Sequence, residues 1–114
     1  MNTINLEVYV MRILQSLPPK TVKNIFLIGS YAKNKNNNNS DVDIIVVSDC
    51  FNNISGYLRE RIVTVNLGNI LPKPDIKCLT VKEFNRYCNS KAYNNEILKK
   101  IYDGRYDDEE IFDN

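Results

Sequence analysis

The amino-terminal segment carries apolar residues at helical spacing. In residues 5–17 they recur every three or four positions, with polar residues between them, which predicts an amphipathic helix with one buried face. Pro18 and Pro19 follow directly and end this helix, because proline has no amide hydrogen to continue it. The predicted buried face consists of Leu6, Val10, Ile13, Leu14 and Leu17.

Two short apolar segments then predict two strands. Residues 24–29 (NIFLIG) form a continuous apolar run, which is typical of a strand buried on both faces. Residues 41–48 (DVDIIVVS) predict a second strand with Asp41 and Asp43 on one face and Val42 on the other. Between the strands, Ser30 is expected to cap a short helical turn, and an asparagine-rich stretch returns the chain.

The second half of the chain alternates between helical and extended patterns. Residues 57–65 favour a helix, although their β-branched end is also typical of a strand, and residues 75–79 predict a third strand. Thr80 and Glu83 form a capping-box pattern that opens a helix from Val81 to about residue 88. Residues 92–102 predict a last helix that ends near Gly104, before an acidic tail.

These elements indicate an α/β (α+β) fold, a small mixed β-sheet with helices packed on it. The 114 residues, 43% of them hydrophobic, fit one domain that spans residues 1–114. Within it we expect a core of about residues 22–88, a carboxy-terminal helix of about residues 91–103, and the acidic tail. A net charge of +1 creates no strong electrostatic field, so strong nucleic-acid binding is not expected.

The residue types present also limit the chemistry. The chain has three cysteines and no histidine, which excludes a mixed Cys/His zinc site and catalysis by Ser-His-Asp or Cys-His groups. The cysteines are expected to be free thiols in a reducing compartment, so we predict a cytoplasmic protein. Glu7 and Arg12 interrupt the apolar amino terminus, which therefore resembles neither a signal peptide nor a membrane span. The chemistry that remains available to this chain uses carboxylates, hydroxyls, lysines or a metal held by oxygen ligands.

Two short motifs point to a site. Asp41 and Asp43 lie two positions apart on one strand face, about 6–7 Å from each other, and a set of oxygen ligands suits Mg²⁺ or Mn²⁺. Gly29 directly after a strand permits a sharp turn and a close ligand approach, and amides at the start of a helical turn favour phosphate. Each motif alone is equally typical of ordinary structure: a polar strand start, or a plain turn from strand to helix.

Taken together, the motifs run in the order strand, Gly29-Ser30, ten residues, Asp41-x-Asp43, strand. This order resembles the minimal nucleotidyltransferases of the DNA polymerase beta superfamily, over roughly residues 22–88. The family has a third carboxylate at the start of a later strand, and Asp75 occupies that position here. Many members carry a glycine where this chain has Asn34, and asparagine tolerates a left-handed conformation almost as well.

The resemblance implies a palm-like fold and transfer of a nucleoside monophosphate, AMP from ATP in the first instance, to a hydroxyl acceptor. It implies Asp41, Asp43 and Asp75 as catalytic residues and ligands of two divalent metals. It also implies contacts with the nucleotide from Gly29, Ser30, Ser40 and Lys33, although loop lysines such as Lys33 and Lys35 are more often solvated. Tyr31 and Tyr57 are possible stacking partners for a base, but half-buried packing is expected for both.

A catalytic core without a substrate domain requires a partner or a second copy to complete its site. The resemblance therefore implies an antitoxin that acts with a HEPN-type toxin and transfers AMP to a tyrosine of that toxin. Three alternatives remain open: an antibiotic-type enzyme with a small-molecule acceptor, an inactive module that binds nucleotide or a partner, and a structural domain whose three carboxylates never meet.

Overall fold

The computed structural model describes residues 4–37, 39–90 and 98–105. Helices and strands alternate along the chain, with a short 3₁₀ helix at Asp49–Phe51. The helices are α1 (Leu6–Gln15), α2 (Gly29–Ala32), α3 (Gly56–Leu67) and α4 (Val81–Cys88). The strands are β1 (Val22–Ile28), β2 (Val42–Ser48), β3 (Pro74–Leu79) and β4 (Lys99–Asp103). The described part of the chain contains no helix that is long and apolar enough to cross a bilayer.

The strands form one mixed sheet in the order β3-β2-β1-β4. β1 pairs antiparallel with β2 on one side and with β4 on the other. β3 pairs parallel with β2, which requires a crossover connection, and α3 lies in that connection. The predicted α/β class, a mixed sheet with helices packed on it, is confirmed.

The two faces of the sheet carry different parts of the core. α1 and α3 contact each other, and their buried residues join the larger apolar cluster with Ile25, Ile44 and Val46 from the strands. α4 covers the opposite face, where Phe84 stacks on Phe26 with ring centroids 4.9 Å apart. Because side chains alternate along a strand, Asp43 of β2 shares this second face with Ile45 and Val47.

An ion pair between a buried arginine and a partly exposed glutamate joins α3 to α4. Arg59 is 8% exposed, and its Nη1 lies 2.5 Å from Oε1 of Glu83. Arg59 also donates hydrogen bonds to the carbonyls of Ile54 and Cys78. Glu83 accepts from the amide of Thr80 and thereby completes the predicted capping box. Hydrogen bonds from Arg59 and Thr80 lower the pKa of Glu83 from 4.5 to about 2.

Most predicted elements are confirmed to within a few residues, but three predictions are wrong. β4 occupies residues for which a helix was predicted, because the free edge of β1 pairs with Lys99–Asp103; residues 91–97 of that predicted helix lie outside the described ranges. Ser30 does not cap α2, because α2 already begins at Gly29 and no side chain caps it. Tyr57 is 67% exposed on α3 rather than half-buried.

Candidate functional site

Two of the three predicted carboxylates are neighbours across the sheet. Asp43 on β2 pairs in register with Asp75 on β3, so their Cα atoms lie one strand spacing apart, about 4.8 Å. Both side chains project from the face that α4 covers farther along the strands, since Ile45 and Leu79 on the same strands pack there. Asp43 and Asp75 are therefore neighbours in the sheet.

Gly29 lies directly against this pair. Ile28, the last residue of β1, is the register partner of Asp43 on its other side. Gly29 follows with φ +71°, a conformation that L side chains rarely adopt. A Cβ added to Gly29 would collide with Oδ2 of Asp43. The backbone turn therefore favours glycine, and any side chain at this position would have to displace the Asp43 carboxylate.

The asparagine-rich loop between β1 and β2 is a folded turn where the structure describes it. Asn34 has φ +61°, which confirms that it takes the left-handed conformation expected at that position. The amide of Asn37 donates to Oγ of Ser40, and Oδ1 of Asn37 accepts from the amide of Asn39. Ser40, predicted to contact nucleotide, therefore uses its hydroxyl to close this turn. Asn36 is buried, with only 8% of its surface exposed.

Asp41 is exposed and precedes β2 by one residue, at the edge of the sheet where Asp43 and Asp75 lie. Within the described ranges, no three His, Cys, Asp or Glu side chains are gathered closely enough to hold one metal ion. The donor chemistry nevertheless fits a hard cation, because Asp43 and Asp75 present neighbouring carboxylates and Asp41 lies two positions before Asp43.

A groove of about 370 Å³ opens beside Asp41. Its walls come from the segment before β2 and the segment before β3, which are joined by a hydrogen bond of 2.9 Å from the amide of Val42 to the carbonyl of Lys73. Lys73 itself is exposed and lines the groove. The sequence analysis did not single out Lys73; its position two residues before Asp75 is the signal that points to it. Lys33 and Lys35 are exposed.

Two tyrosines meet beneath this region, on the face of α1 and α3. Tyr9 of α1 donates a hydrogen bond of 2.5 Å to the carbonyl of Pro72. Burial, with a smaller contribution from nearby Tyr31, raises the pKa of Tyr9. Tyr31 of α2 is 8% exposed, and its hydroxyl lacks a hydrogen-bond partner among the described residues. Tyr31 is thus a packing residue of the core, not a platform for a base.

Other reactive or concave features lie apart from the carboxylates. Burial raises the pKa of the Cys78 thiol to about 12, which makes it a poor nucleophile. An apolar groove of about 840 Å³ runs between α1 and β4. Among the described residues that line it, Glu7 is the only charged one, and none of them is a cation that would favour phosphate. The polar edge formed by Gly29, Asp43 and Asp75 is the better candidate site.

Known protein families and solved structures resemble this chain in sequence and fold. A family model for a nucleotidyltransferase domain matches residues 9–110. No curated protein sequence matches the chain. Among solved structures, one described as "a putative nucleotidyltransferase from Sulfolobus solfataricus" aligns with a TM-score of 0.58 and 21% identity, over 82% of this chain and 77% of that chain. A second, "the toxin-antitoxin with AMP-PNP", aligns with a TM-score of 0.61 and 21% identity, over 93% and 79%. At these identities the structural likeness shows a shared fold.

Proposed function

The chain belongs to the nucleotidyltransferase domain family, and from that premise we propose that it transfers AMP from ATP to a hydroxyl acceptor with the help of divalent metal ions. The observation that carries the proposal is the register pairing of Asp43 with Asp75 beside the left-handed Gly29. Two adjacent carboxylates repel each other unless a cation lies between them, and the absence of a Cβ at Gly29 lets the Asp43 carboxylate lie directly against the backbone turn.

Each residue of the site then has a distinct task. Asp41 and Asp43 hold the cations that carry the triphosphate, and Asp43 is positioned for this by its contact with Gly29. Asp75, exposed at the sheet edge, orients the acceptor hydroxyl and takes its proton. Bound Mg²⁺ or Mn²⁺ supplies a lower pKa for that hydroxyl and charge stabilisation at the α-phosphate. The acceptor oxygen forms a bond to the α-phosphorus, and the bond to pyrophosphate breaks.

The remaining nucleotide contacts come from the turn after β1. Gly29 and Ser30 present backbone amides and one hydroxyl to the β- and γ-phosphates, and the Ser30 hydroxyl makes no hydrogen bond within the described residues. Lys33 adds positive charge on the side of the leaving pyrophosphate. Adenine is the preferred base in this proposal because a structural neighbour with the same fold was solved with AMP-PNP.

The acceptor in this proposal is a hydroxyl on a partner protein, a tyrosine of a HEPN-type toxin. The support for a protein acceptor is that the neighbour solved with AMP-PNP is described as a toxin-antitoxin. The proposal places the protein in the cytoplasm, as one domain that acts with its partner. The alternative with a small-molecule acceptor differs only in what reaches Asp75.

Binding of ATP tests the site. We expect wild-type protein to bind ATP in the presence of Mg²⁺, and to lose this binding in EDTA or in the variant Asp43→Asn, which keeps the shape of the side chain. Glu60→Gln, which removes an exposed carboxylate on α3, is the matched control and should bind normally. ATP affinity that EDTA and Asp43→Asn both leave unchanged would contradict the proposed site.

Group transfer is tested separately. The protein is incubated with Mg²⁺, ATP labelled at the α-phosphate and the product of the neighbouring gene, and both proteins are weighed by mass spectrometry. A gain of one or more AMP groups on the partner, absent with Asp75→Asn, supports protein modification. Pyrophosphate release that requires a small hydroxylated acceptor and leaves the partner unmodified would instead favour the antibiotic-type alternative.

A further inference from the structure

A second polar cavity, of about 670 Å³, lies at the opposite end of the sheet. Its walls come from the start of β1, the end of β4 and the first residue of α4. Val22 at the start of β1 lines it, whereas Ile28 at the end of β1 is the register partner of Asp43. Six residues of strand span about 20 Å, so this cavity is separate from the candidate catalytic edge.

The cavity has a surplus of positive charge. Four cationic side chains and two carboxylates line it: Lys20, Lys23, Lys100, Arg105, Asp49 and Asp103. Both carboxylates are already engaged. Oδ1 of Asp49 accepts a hydrogen bond of 3.1 Å from the amide of Val81, and Asp103 accepts from the amide and the guanidinium of Arg105. Lys20 and Lys23 form no ion pair with any described residue.

Asp103 fixes two of the cations at the cavity wall. Its side chain is only 7% exposed, and Oδ2 lies 2.8 Å from Nη2 of Arg105 and 3.3 Å from Nζ of Lys100. These hydrogen bonds hold the pKa of Asp103 far below its usual range, so it stays ionised. Arg105 and Lys100 are therefore held in place, while much of each side chain remains exposed to a ligand.

The backbone around the cavity is tightly constrained. Lys20 has φ +63°, a left-handed conformation that L residues rarely adopt. A Cβ on Gly104 would lie 2.5 Å from the carbonyl oxygen of Val22, so the end of β4 approaches β1 more closely than a side chain allows. The wall that carries Arg105 is thus packed closely against β1.

The net charge of the whole chain is close to zero, but residues 1–105 taken without the acidic tail are strongly positive. Residues 1–105 contain all 15 Lys and Arg residues but only nine of the 14 Asp and Glu residues, whereas residues 106–114 contain the other five acidic residues and no basic one. We propose that the cavity is a second binding site, one that takes phosphate groups independently of the ATP site. Lysine and arginine donors around an anion form charge-assisted hydrogen bonds, the strongest available to such a ligand.

The test uses inorganic pyrophosphate in EDTA, so that metal-dependent binding at the catalytic edge is suppressed. We expect amide NMR signals of residues 20–24 and 99–105 to shift on titration. Lys20→Ser/Lys23→Ser should weaken the affinity by about tenfold or more, since each lost charged hydrogen bond is substantial. The control Lys82→Ser/Lys99→Ser removes the same charge from exposed positions outside the cavity and should change the affinity much less.

Three results would overturn the proposal: no pyrophosphate binding, equal weakening by both double variants, or shifts confined to the loop around Gly29. Binding that appears only after Asp107, Asp108, Glu109 and Glu110 are replaced by Asn and Gln would also overturn it, because the acidic tail would then be the occupant. Lys20→Ser/Lys23→Ser should leave Mg²⁺-dependent ATP binding intact, and Asp43→Asn should leave pyrophosphate binding intact. Failure of one site is therefore distinguishable from failure of the other.

A second arm identifies the source of the phosphate. If a short single-stranded oligonucleotide binds more tightly than pyrophosphate, and the double variant Lys20→Ser/Lys23→Ser lowers the salt slope of that binding by about 1.4, the phosphates belong to nucleic acid. If pyrophosphate binds and the oligonucleotide does not, the ligand is a small phosphorylated molecule. Either result supports a phosphate site in this cavity.

Discussion

The contact between Gly29 and Asp43 makes a sharp prediction for the variant Gly29→Ala. The left-handed backbone at φ +71° lowers the free energy of unfolding of an alanine variant by about 1–2 kcal/mol. This loss is offset by about 0.4–1 kcal/mol, because alanine reduces the conformational freedom of the unfolded chain. The new Cβ also collides with Oδ2 of Asp43, so the carboxylate must move from its present position. We expect a net loss of about 1 kcal/mol in the free energy of unfolding and a larger, separate loss of function.

The functional loss follows from geometry. Displacing a catalytic group by about an ångström lowers rates by about a hundredfold, so the transfer of AMP should fall by that order and the affinity for ATP with Mg²⁺ should weaken. Urea unfolding followed by circular dichroism measures the loss in the free energy of unfolding. Calorimetric titration with ATP and Mg²⁺ measures the loss of ATP affinity, and the rate of label transfer measures the loss of activity.

Substitutions at two other glycines separate the cost of the left-handed backbone from the effect of the close approach to Asp43. Gly68 has φ +61° with no atom within 4 Å of an added Cβ, so Gly68→Ala should lose about 1–3 kcal/mol of stability for its backbone alone and keep its ATP affinity. Gly56 begins α3 and has equally open space; Gly56→Ala should gain up to about 1 kcal/mol. If Gly29→Ala binds ATP as well as Gly68→Ala does, the close approach to Asp43 has no role in the site and the reasoning fails.

Two further predictions concern stability. The pKa of Glu83 is lowered from 4.5 to about 2, so its ion pair with Arg59 stabilises the fold above about pH 4.5. This stabilisation is lost as the pH falls towards 2. Because water reaches the partly exposed carboxylate, the stabilisation amounts to only about 1 kcal/mol. Urea unfolding of wild type and Glu83→Gln should therefore differ at pH 6 and converge near pH 2, and a constant difference would contradict the assignment. Tyr9→Phe leaves the Pro72 carbonyl without its donor and should lose about 1 kcal/mol, whereas Tyr31→Phe removes a hydroxyl without a partner among the described residues and should unfold no earlier than wild type.

Local sequence signals predicted the elements that local chemistry determines. The capping box at Thr80 and Glu83 places the start of α4, the apolar run after Asp43 places β2, and the left-handed tolerance of asparagine places the turn at Asn34. Each of these depends on residues within a few positions of one another. The motif order around Gly29 likewise predicted which residues share one edge of the sheet.

The features that the sequence did not predict, β4 and the burial of Arg59, depend on partners that are distant in the sequence. Lys99–Asp103 has no strong alternation, and it is extended because β1 offers a free edge, which a window of neighbouring residues does not record. In the sequence, Arg59 is one of several charged residues of α3 and resembles a surface residue. In the structure it is buried, because Glu83 and the carbonyls of Ile54 and Cys78 accept its hydrogen bonds. Both features follow from tertiary pairing, where context overrides local propensity.

The topology of the sheet also orders the assembly of the site during folding. Gly29 and Asp43 belong to two strands joined by a short loop, whereas Asp75 reaches Asp43 only through the parallel pairing of β3. Closing the longer segment between Asp43 and Asp75 costs about 0.7 kcal/mol more in chain entropy than closing the segment between Gly29 and Asp43. The glycine turn and the first carboxylates can therefore come together early, and a nascent chain acquires its third carboxylate only when its edge strand docks.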